Sequence, residues 1–217
     1  MIDAVIFDLD GVLLDSESAW LDAKRALVDE WGGTWKDEAS RAMLGMSAPE
    51  WSRYVHEQLG VPLDPEAISD RVVAHVLDIY SRDLPLLPGA DEAVYRLAAR
   101  WPLGLASSSN KEVIDRVMAT SGWGESFKTW VSSEEAGRGK PAPDVFLEAA
   151  RRLGLDPRHG AGIEDSHNGI LAARAAGLRT IAIPNHEFPP GEDALSRAHV
   201  VLERLDDLTP EIVDPEA

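Results

Sequence analysis

Two carboxylates one residue apart, Asp8 and Asp10, close the apolar run of Val5-Ile6-Phe7-Asp8-Leu9-Asp10-Gly11-Val12. Three consecutive apolar residues, β-branched or aromatic, predict a buried strand. Burial on both faces predicts a parallel sheet. The acids then emerge at the strand's carboxyl end, where open α/β sheets bind their ligands. Side chains two apart on an extended chain share a face. A break at Leu9 would instead turn one carboxylate and one backbone carbonyl toward a common ligand. Asp and Gly are also the usual turn residues, so these four positions alone leave a turn and a metal or catalytic site equally open.

Three later stretches carry chemistry of the same kind. In Leu105-Ala106-Ser107-Ser108-Ser109-Asn110 a hydroxyl cluster joins a strand to a helix start. Backbone N–H groups and the helix dipole favour a phosphate there, and the hydroxyls donate to it. Ser and Asn are equally the preferred N-caps, so Ser107 is expected on the ligand and Ser109 or Asn110 as cap. In Gly137-Arg138-Gly139-Lys140-Pro141 a lysine sits between glycine and proline. Lysine suits a phosphate as a point charge, although a lone lysine is usually a solvated surface group and Arg138 is equally basic. In Gly162-Ile163-Glu164-Asp165-Ser166-His167 adjacent acids end a buried strand and precede a helix. They suit a helix N-terminus, and as hard oxygens they suit Mg²⁺. Capping and turn roles do not explain why Asp8, Asp10, Glu164 and Asp165 would all fall on one sheet edge. Clustered carboxylates favour their neutral forms; a divalent cation with Lys140 would relieve the repulsion.

The elements that must position these residues follow from the patterning. Apolar Trp20, Ala23, Leu27 and Trp31 recur at helical spacing over 18–31, and Gly32-Gly33 stops that helix. Residues 37–44, 48–59 and 65–81 predict three more helices, and no strand is predicted between 15 and 85. From Ala90 the pattern alternates, with helices over 90–100, 111–120, 143–153 and 168–176. Strands are predicted over 103–106, 129–132, 161–163, 180–183 and 200–201. Such alternation implies a Rossmann-like, doubly wound parallel sheet of the α/β class. The helical block interrupts it after strand one. The expected organisation is therefore an α/β core of residues 1–14 and 86–217 with an inserted helical domain over 15–85, and a frayed tail from Pro210.

The bulk numbers set limits. The 217 residues suffice for one large domain or a core with a smaller insert. There is no cysteine, hence no disulfide framework and no thiolate chemistry. No apolar run approaches a membrane span, and no basic start precedes an apolar stretch as in a signal peptide. The formal net charge of −17 argues against nucleic acid. Screening confines its repulsion to about 8–10 Å, so an anionic substrate needs only a locally positive pocket. A cytoplasmic monomer with no nucleic-acid or membrane partner is the expectation.

Taken in order, Asp8-Leu9-Asp10-Gly11-Val12-Leu13-Leu14-Asp15-Ser16-Glu17, Ser107 after its strand, Gly139-Lys140-Pro141 and Glu164-Asp165-Ser166 resemble the four motifs of the haloacid dehalogenase-like superfamily, over nearly the whole chain. The helical insert resembles that family's type 1 cap, as in the β-phosphoglucomutase-like phosphatases. The resemblance implies Asp8 as a nucleophile forming an aspartyl-phosphate. It implies Asp10 as the acid and base serving the leaving alcohol and the attacking water. Ser107 and Lys140 would hold phosphoryl oxygens, with Ser108 beside them. Mg²⁺ would sit on Asp8, the Asp10 carbonyl and Asp165, joined by Glu164 directly or through water. Leu44-Gly45-Met46-Ser47-Ala48-Pro49 looks like the cap loop, with Gly45 and Met46 as candidate substrate contacts. Family members that act on carbon–halogen or carbon–phosphorus bonds lack an acid two residues after the nucleophile, so Asp10 implies transfer from an alcohol oxygen.

These residues imply a Mg²⁺-dependent phosphatase for a small phosphorylated metabolite, a sugar or polyol phosphate. A phosphomutase is the alternative. Leu44 and Ala48 stand where such mutases carry basic residues, although Arg41, Arg53 and Arg71 lie nearby in sequence. An aspartate-phosphorylated signalling domain is a third reading, against which Asp10 and the insert count.

Overall fold

The computed structural model describes residues 1–43, 46, 48–186 and 189–216. They form two compact units, Met1–Asp15 with Pro85–Ala217, and Ser16–Leu84.

The first unit is built on a six-stranded, all-parallel sheet: β1 (Ala4–Phe7), β2 (Leu103–Ser107), β3 (Phe127–Ser132), β4 (Gly160–Glu164), β5 (Arg179–Ala182) and β6 (Val200–Val201). The spatial order is β3-β2-β1-β4-β5-β6. Every residue of β1, β2 and β4 is buried, as parallel strands covered on both faces must be. Ile6, Ala106 and Val131 of the sheet pack with Val145, Phe146 and Ala149 in one continuous apolar cluster.

The four helices of the second unit are α1 (Glu17–Glu30), α2 (Ala39–Ala42), α3 (Ala48–Leu59) and α4 (Pro65–Arg82). α1 and α3 both pack on α4, burying Ala23, Leu27, Val55, Ile68, Val72 and Val76. α4 starts on an Asp64 side chain that accepts from the Ala67 N–H, with proline at its head. Trp51 is buried, and its ring meets Trp20 edge-on with centroids 6.3 Å apart. Of the helix expected over 37–44, the described residues form the single turn α2, with Ala39 buried in it and Met43 buried at its end.

Back in the first unit come α5 (Ala90–Ala98), α6 (Lys111–Thr120), α7 (Ser133–Ala136), α8 (Asp144–Leu153), α9 (His167–Ala176), α10 (Glu192–Leu195) and α11 (Pro210–Val213). α7 and α10 are single turns, too short for a periodic signal. A capping box holds α7: the Ser132 hydroxyl accepts from the Glu134 N–H, and Glu135 accepts from the Ser132 N–H at 3.1 Å.

The chain end corrects the expectation of a frayed tail. α11 forms, Val213 is fully buried, and the buried Asp214 accepts a 2.8 Å hydrogen bond from the Ile2 N–H. Ile2 is buried and its carbonyl accepts from the Trp101 indole at 2.9 Å, so the two chain ends are tied together beside β1. Charged residues around Val213 hide that apolar anchor in the sequence.

Candidate active site

The sheet order reverses at β1, whose neighbours are β2 and β4. Helices leaving the strands on either side diverge there and open a crevice at the carboxyl ends. Phe7 pairs with Ile163 and Leu105, so the next residues, Asp8, Glu164 and Ala106, share one edge. The Asp8 N–H still donates to Ile163 at 2.9 Å. The strand then breaks into a tight turn: the Leu13 and Leu14 N–H groups both reach the Leu9 carbonyl. Gly11 makes that turn with φ of +80°, and a Cβ there would lie 2.1 Å from Asp165 Oδ2. Glycine is thus required twice, for the dihedral and for the close carboxylate.

Lys140 sits at the centre of the edge. Its Nζ donates to Asp8 Oδ1 at 2.5 Å, to Glu164 Oε1 at 2.6 Å and to the Ala106 carbonyl at 3.1 Å. Its three N–H donors have three acceptors, and its side chain is 6% exposed. Burial works against its charge, but Asp8 and Glu164 outweigh that and raise its pKa. Arg138, the other basic candidate, is exposed and forks onto Asp144 at 2.9 and 3.1 Å.

Glu164 is fully buried and fully engaged. Oε1 takes Lys140; Oε2 accepts the Asp165 N–H, the Ser166 N–H and the Ser166 hydroxyl at 3.0–3.2 Å. Ser166 caps α9 by accepting from Gly169 at 3.1 Å. A Cβ on Gly169 would fall 1.8 Å from the Glu164 carboxylate, so this helix can pass the site only with glycine at that position.

Asp8, Glu164 and Asp165 bring carboxylate oxygens within 4.8 Å of one another, a group able to hold a metal ion. Burial, then the charges of Glu164 and Asp10, push Asp8 up to about 8 against the pull of Lys140. Burial, then Glu164 and Asp8, raise Asp165 well above the usual carboxylate range. Asp165 Oδ1 is buried with no hydrogen-bond partner among the described residues. An unsatisfied buried oxygen beside crowded, hard-oxygen donors is what a divalent cation would complete.

The Asp10 side chain is held by two serines. Its Oδ2 accepts from Ser107 at 3.1 Å and from Ser109 at 2.7 Å. Ser107 is wholly buried and also accepts the Ser109 N–H. Ser109 therefore faces the acid and not the helix start. Asn110 occupies the N-cap position of α6, yet its side chain makes no cap; Glu134 accepts instead from the Asn110 amide and from the Lys111 N–H. That corrects the expected capping role of Ser109 or Asn110, because an acid from α7 takes it. Ser108 is exposed. His167 faces Asp193 at 3.7 Å. Met46 is half-buried in the second unit; Gly45, with Leu44 and Ser47, lies outside the described residues.

Four stretches distant along the chain thus meet around Lys140. Ser109 and Ser166 join the site in roles the motifs do not state; their signals in the sequence are the repeated hydroxyls after Ala106 and the hydroxyl following paired acids.

A family model described as haloacid dehalogenase-like hydrolase matches residues 2–177. The chain is 34% identical over 215 residues to hexitol phosphatase B of Escherichia coli (strain K12), covering 95% of this chain and 94% of that protein. It is 32% identical over 183 residues to the bifunctional riboflavin kinase/FMN phosphatase of Arabidopsis thaliana, covering 83% of this chain and 48% of that protein, so it spans about half that relative's length. Among solved structures it matches CbbY from Rhodobacter sphaeroides in complex with phosphate, with a TM-score of 0.85, 26% identity and 96% of each chain covered.

Proposed function

The chain belongs to the haloacid dehalogenase-like hydrolases and is a phosphoric monoester hydrolase; from that premise we propose that it dephosphorylates a small sugar or polyol phosphate through an aspartyl-phosphate on Asp8. The observation that carries this reading is the contact of Lys140 Nζ with Asp8 Oδ1 at 2.5 Å, with a second carboxylate, Asp10, two residues on. The relative named for hexitol phosphates supports the substrate class.

Lys140 holds one Asp8 oxygen, offsets its charge and orients the other oxygen toward phosphorus. An Asp8 oxygen forms the P–O bond as the ester oxygen leaves, and Asp10 gives that oxygen its proton. Asp10 then takes a proton from the water that attacks the aspartyl-phosphate, releasing phosphate and restoring Asp8. Ser107 and Ser109 fix the Asp10 carboxylate for both tasks. Positioning and charge neutralisation carry most of the catalysis in phosphoryl transfer. Asp8 and Asp165, with the Asp10 carbonyl, would hold Mg²⁺, which would supply positive charge to the phosphoryl oxygens and a template for the ester. Glu164 holds Lys140 in place, and its carboxylate, within 4.8 Å of those of Asp8 and Asp165, would join the Mg²⁺ site directly or through water. Residues 16–84 act in this reading as the cap that selects the substrate.

A phosphomutase would share the nucleophile but needs a second phosphate anchor. Of the nearby basic residues, Arg71 already lies over the Trp31 ring at 4.7 Å. The test is phosphate release from a panel of sugar, polyol and nucleoside monophosphates with Mg²⁺, run beside Asp8→Asn. Hydrolysis lost in that variant supports the proposal. Turnover retained by Asp8→Asn would overturn it, as would isomer formation from a hexose 1-phosphate without phosphate release. Stable phosphorylation without turnover would favour a signalling role.

A further inference from the structure

A second feature of the α/β unit carries no part of the hydrolytic site. A cleft of about 400 Å³ is lined by Pro141, Leu171, Arg174, Ala175 and Arg197. In a chain with 38 acidic and 21 basic residues, its only charged lining residues are two arginines. Among the described residues neither guanidinium has a carboxylate within salt-bridge distance.

The surroundings of Arg174 point to what is missing from that pairing. Its Nη1 lies 2.7 Å from Nε2 of His199. His199 Nδ1 accepts the Thr180 N–H at 2.8 Å, which leaves the proton of the neutral imidazole on Nε2. The Nε2–H and the Arg174 Nη1–H are then neighbouring donors that cannot bond each other. An oxygen accepting from both resolves the conflict, and a charged oxygen does so with the stronger, charge-assisted bonds that guanidinium groups form with oxyanions. Leu171, Ala175 and Pro141 give the cleft an apolar wall for the remainder of a small molecule.

We propose that the Arg174–Arg197 cleft, with His199 in contact with Arg174, binds a small phosphorylated anion at a site separate from Asp8. Pro141 connects the two, since it lines the cleft and follows Lys140 directly.

The probe is inorganic phosphate, titrated into ¹⁵N-labelled protein, with sodium chloride at matched ionic strength as control. Saturable shifts of the amides over 171–175 and 196–199 are expected. In the double variant Arg174→Gln/Arg197→Gln that binding should weaken at least about tenfold, the scale expected from losing charged hydrogen bonds. Hydrolysis of p-nitrophenyl phosphate should be unchanged in that variant, because both arginines are exposed and outside the hydrolytic machinery. Phosphate shifts confined to the Asp8, Asp10 and Ser107 region would overturn the proposal. So would equal shifts with chloride, or undiminished shifts in the double variant. The binding readout does not depend on turnover, so failure of the cleft and failure of the phosphatase reading remain distinguishable.

Discussion

Glu164 Oε1 accepts from Lys140 Nζ at 2.6 Å, and both side chains are sealed from solvent. A buried ion pair contributes little net stability, since desolvation offsets attraction. What it does here is aim the lysine, whose remaining donors reach Asp8 and the Ala106 carbonyl. Glu164 is in turn clamped by the N–H groups of Asp165 and Ser166.

Glu164→Gln should therefore damage turnover without removing any group that meets the ester. An amide cannot accept on both ends, so either Lys140 or the two backbone N–H groups face an NH₂. The expected cost is about 1–3 kcal/mol of stability, the desolvation penalty of an unmet buried donor. On the proposed mechanism kcat should fall by about 10²-fold, comparable to losing one preorganised electrostatic contact. Urea unfolding and steady-state kinetics with p-nitrophenyl phosphate check both. Unchanged values in both measurements would refute the positioning role.

Gly169→Ala tests the same clamp by steric means. The added methyl would lie 1.8 Å from Glu164, which is tied down by four hydrogen bonds from Lys140, Asp165 and Ser166. Helix propensity alone favours alanine by about 1 kcal/mol. Overpacking should reverse that sign and destabilise by about 1–3 kcal/mol, with loss of turnover as Lys140 shifts. A raised melting temperature in a thermal unfolding scan would show that Glu164 yields more easily than its bonding implies.

Divalent-cation binding is expected to appear as stability. The carboxylates of Asp8 and Asp165 are crowded, and both have raised pKa values. A cation bound to the folded chain at 100 times its dissociation constant adds about 2.7 kcal/mol. Mg²⁺ should raise the melting temperature, EDTA should reverse the rise, and Asp165→Asn should abolish it. Equal responses in the variant would place the cation elsewhere.

Acid stability should depend on Asp214. The Ile2 N–H, foremost, and the Glu216 N–H hold this carboxyl below its ordinary value of 3.8. A folded value below the unfolded one means the folded state keeps the charged form more readily. Its contribution is thus complete above about pH 4 and is lost as pH falls through the folded value. Asp214→Asn should lower stability at neutral pH and flatten the fall below pH 4, read from urea midpoints between pH 2 and 7. A wild-type slope retained in the variant would assign the acid limb to other carboxylates.

Much of this was legible in the residues alone. Unbroken apolar runs such as Val5-Ile6-Phe7, alternating with helical periods, already state a parallel sheet, because that pattern has no other comfortable burial. The acids that end two of those runs identify the ligand-binding edge, and the motif order identifies the family. Local chemistry does not say who partners whom. That Glu164 saturates itself on Lys140, Asp165 and Ser166, that Asp10 turns to Ser107 and Ser109, that Glu134 caps α6, and that Val213 anchors the tail were decided by tertiary packing. Apart from the local bonds of Glu164 to Asp165 and Ser166, these contacts join groups from separate segments of the chain, where burial leaves every polar atom few available partners. The types of residue determine which chemistry is possible; only the close-packed interior determines which oxygen receives which proton.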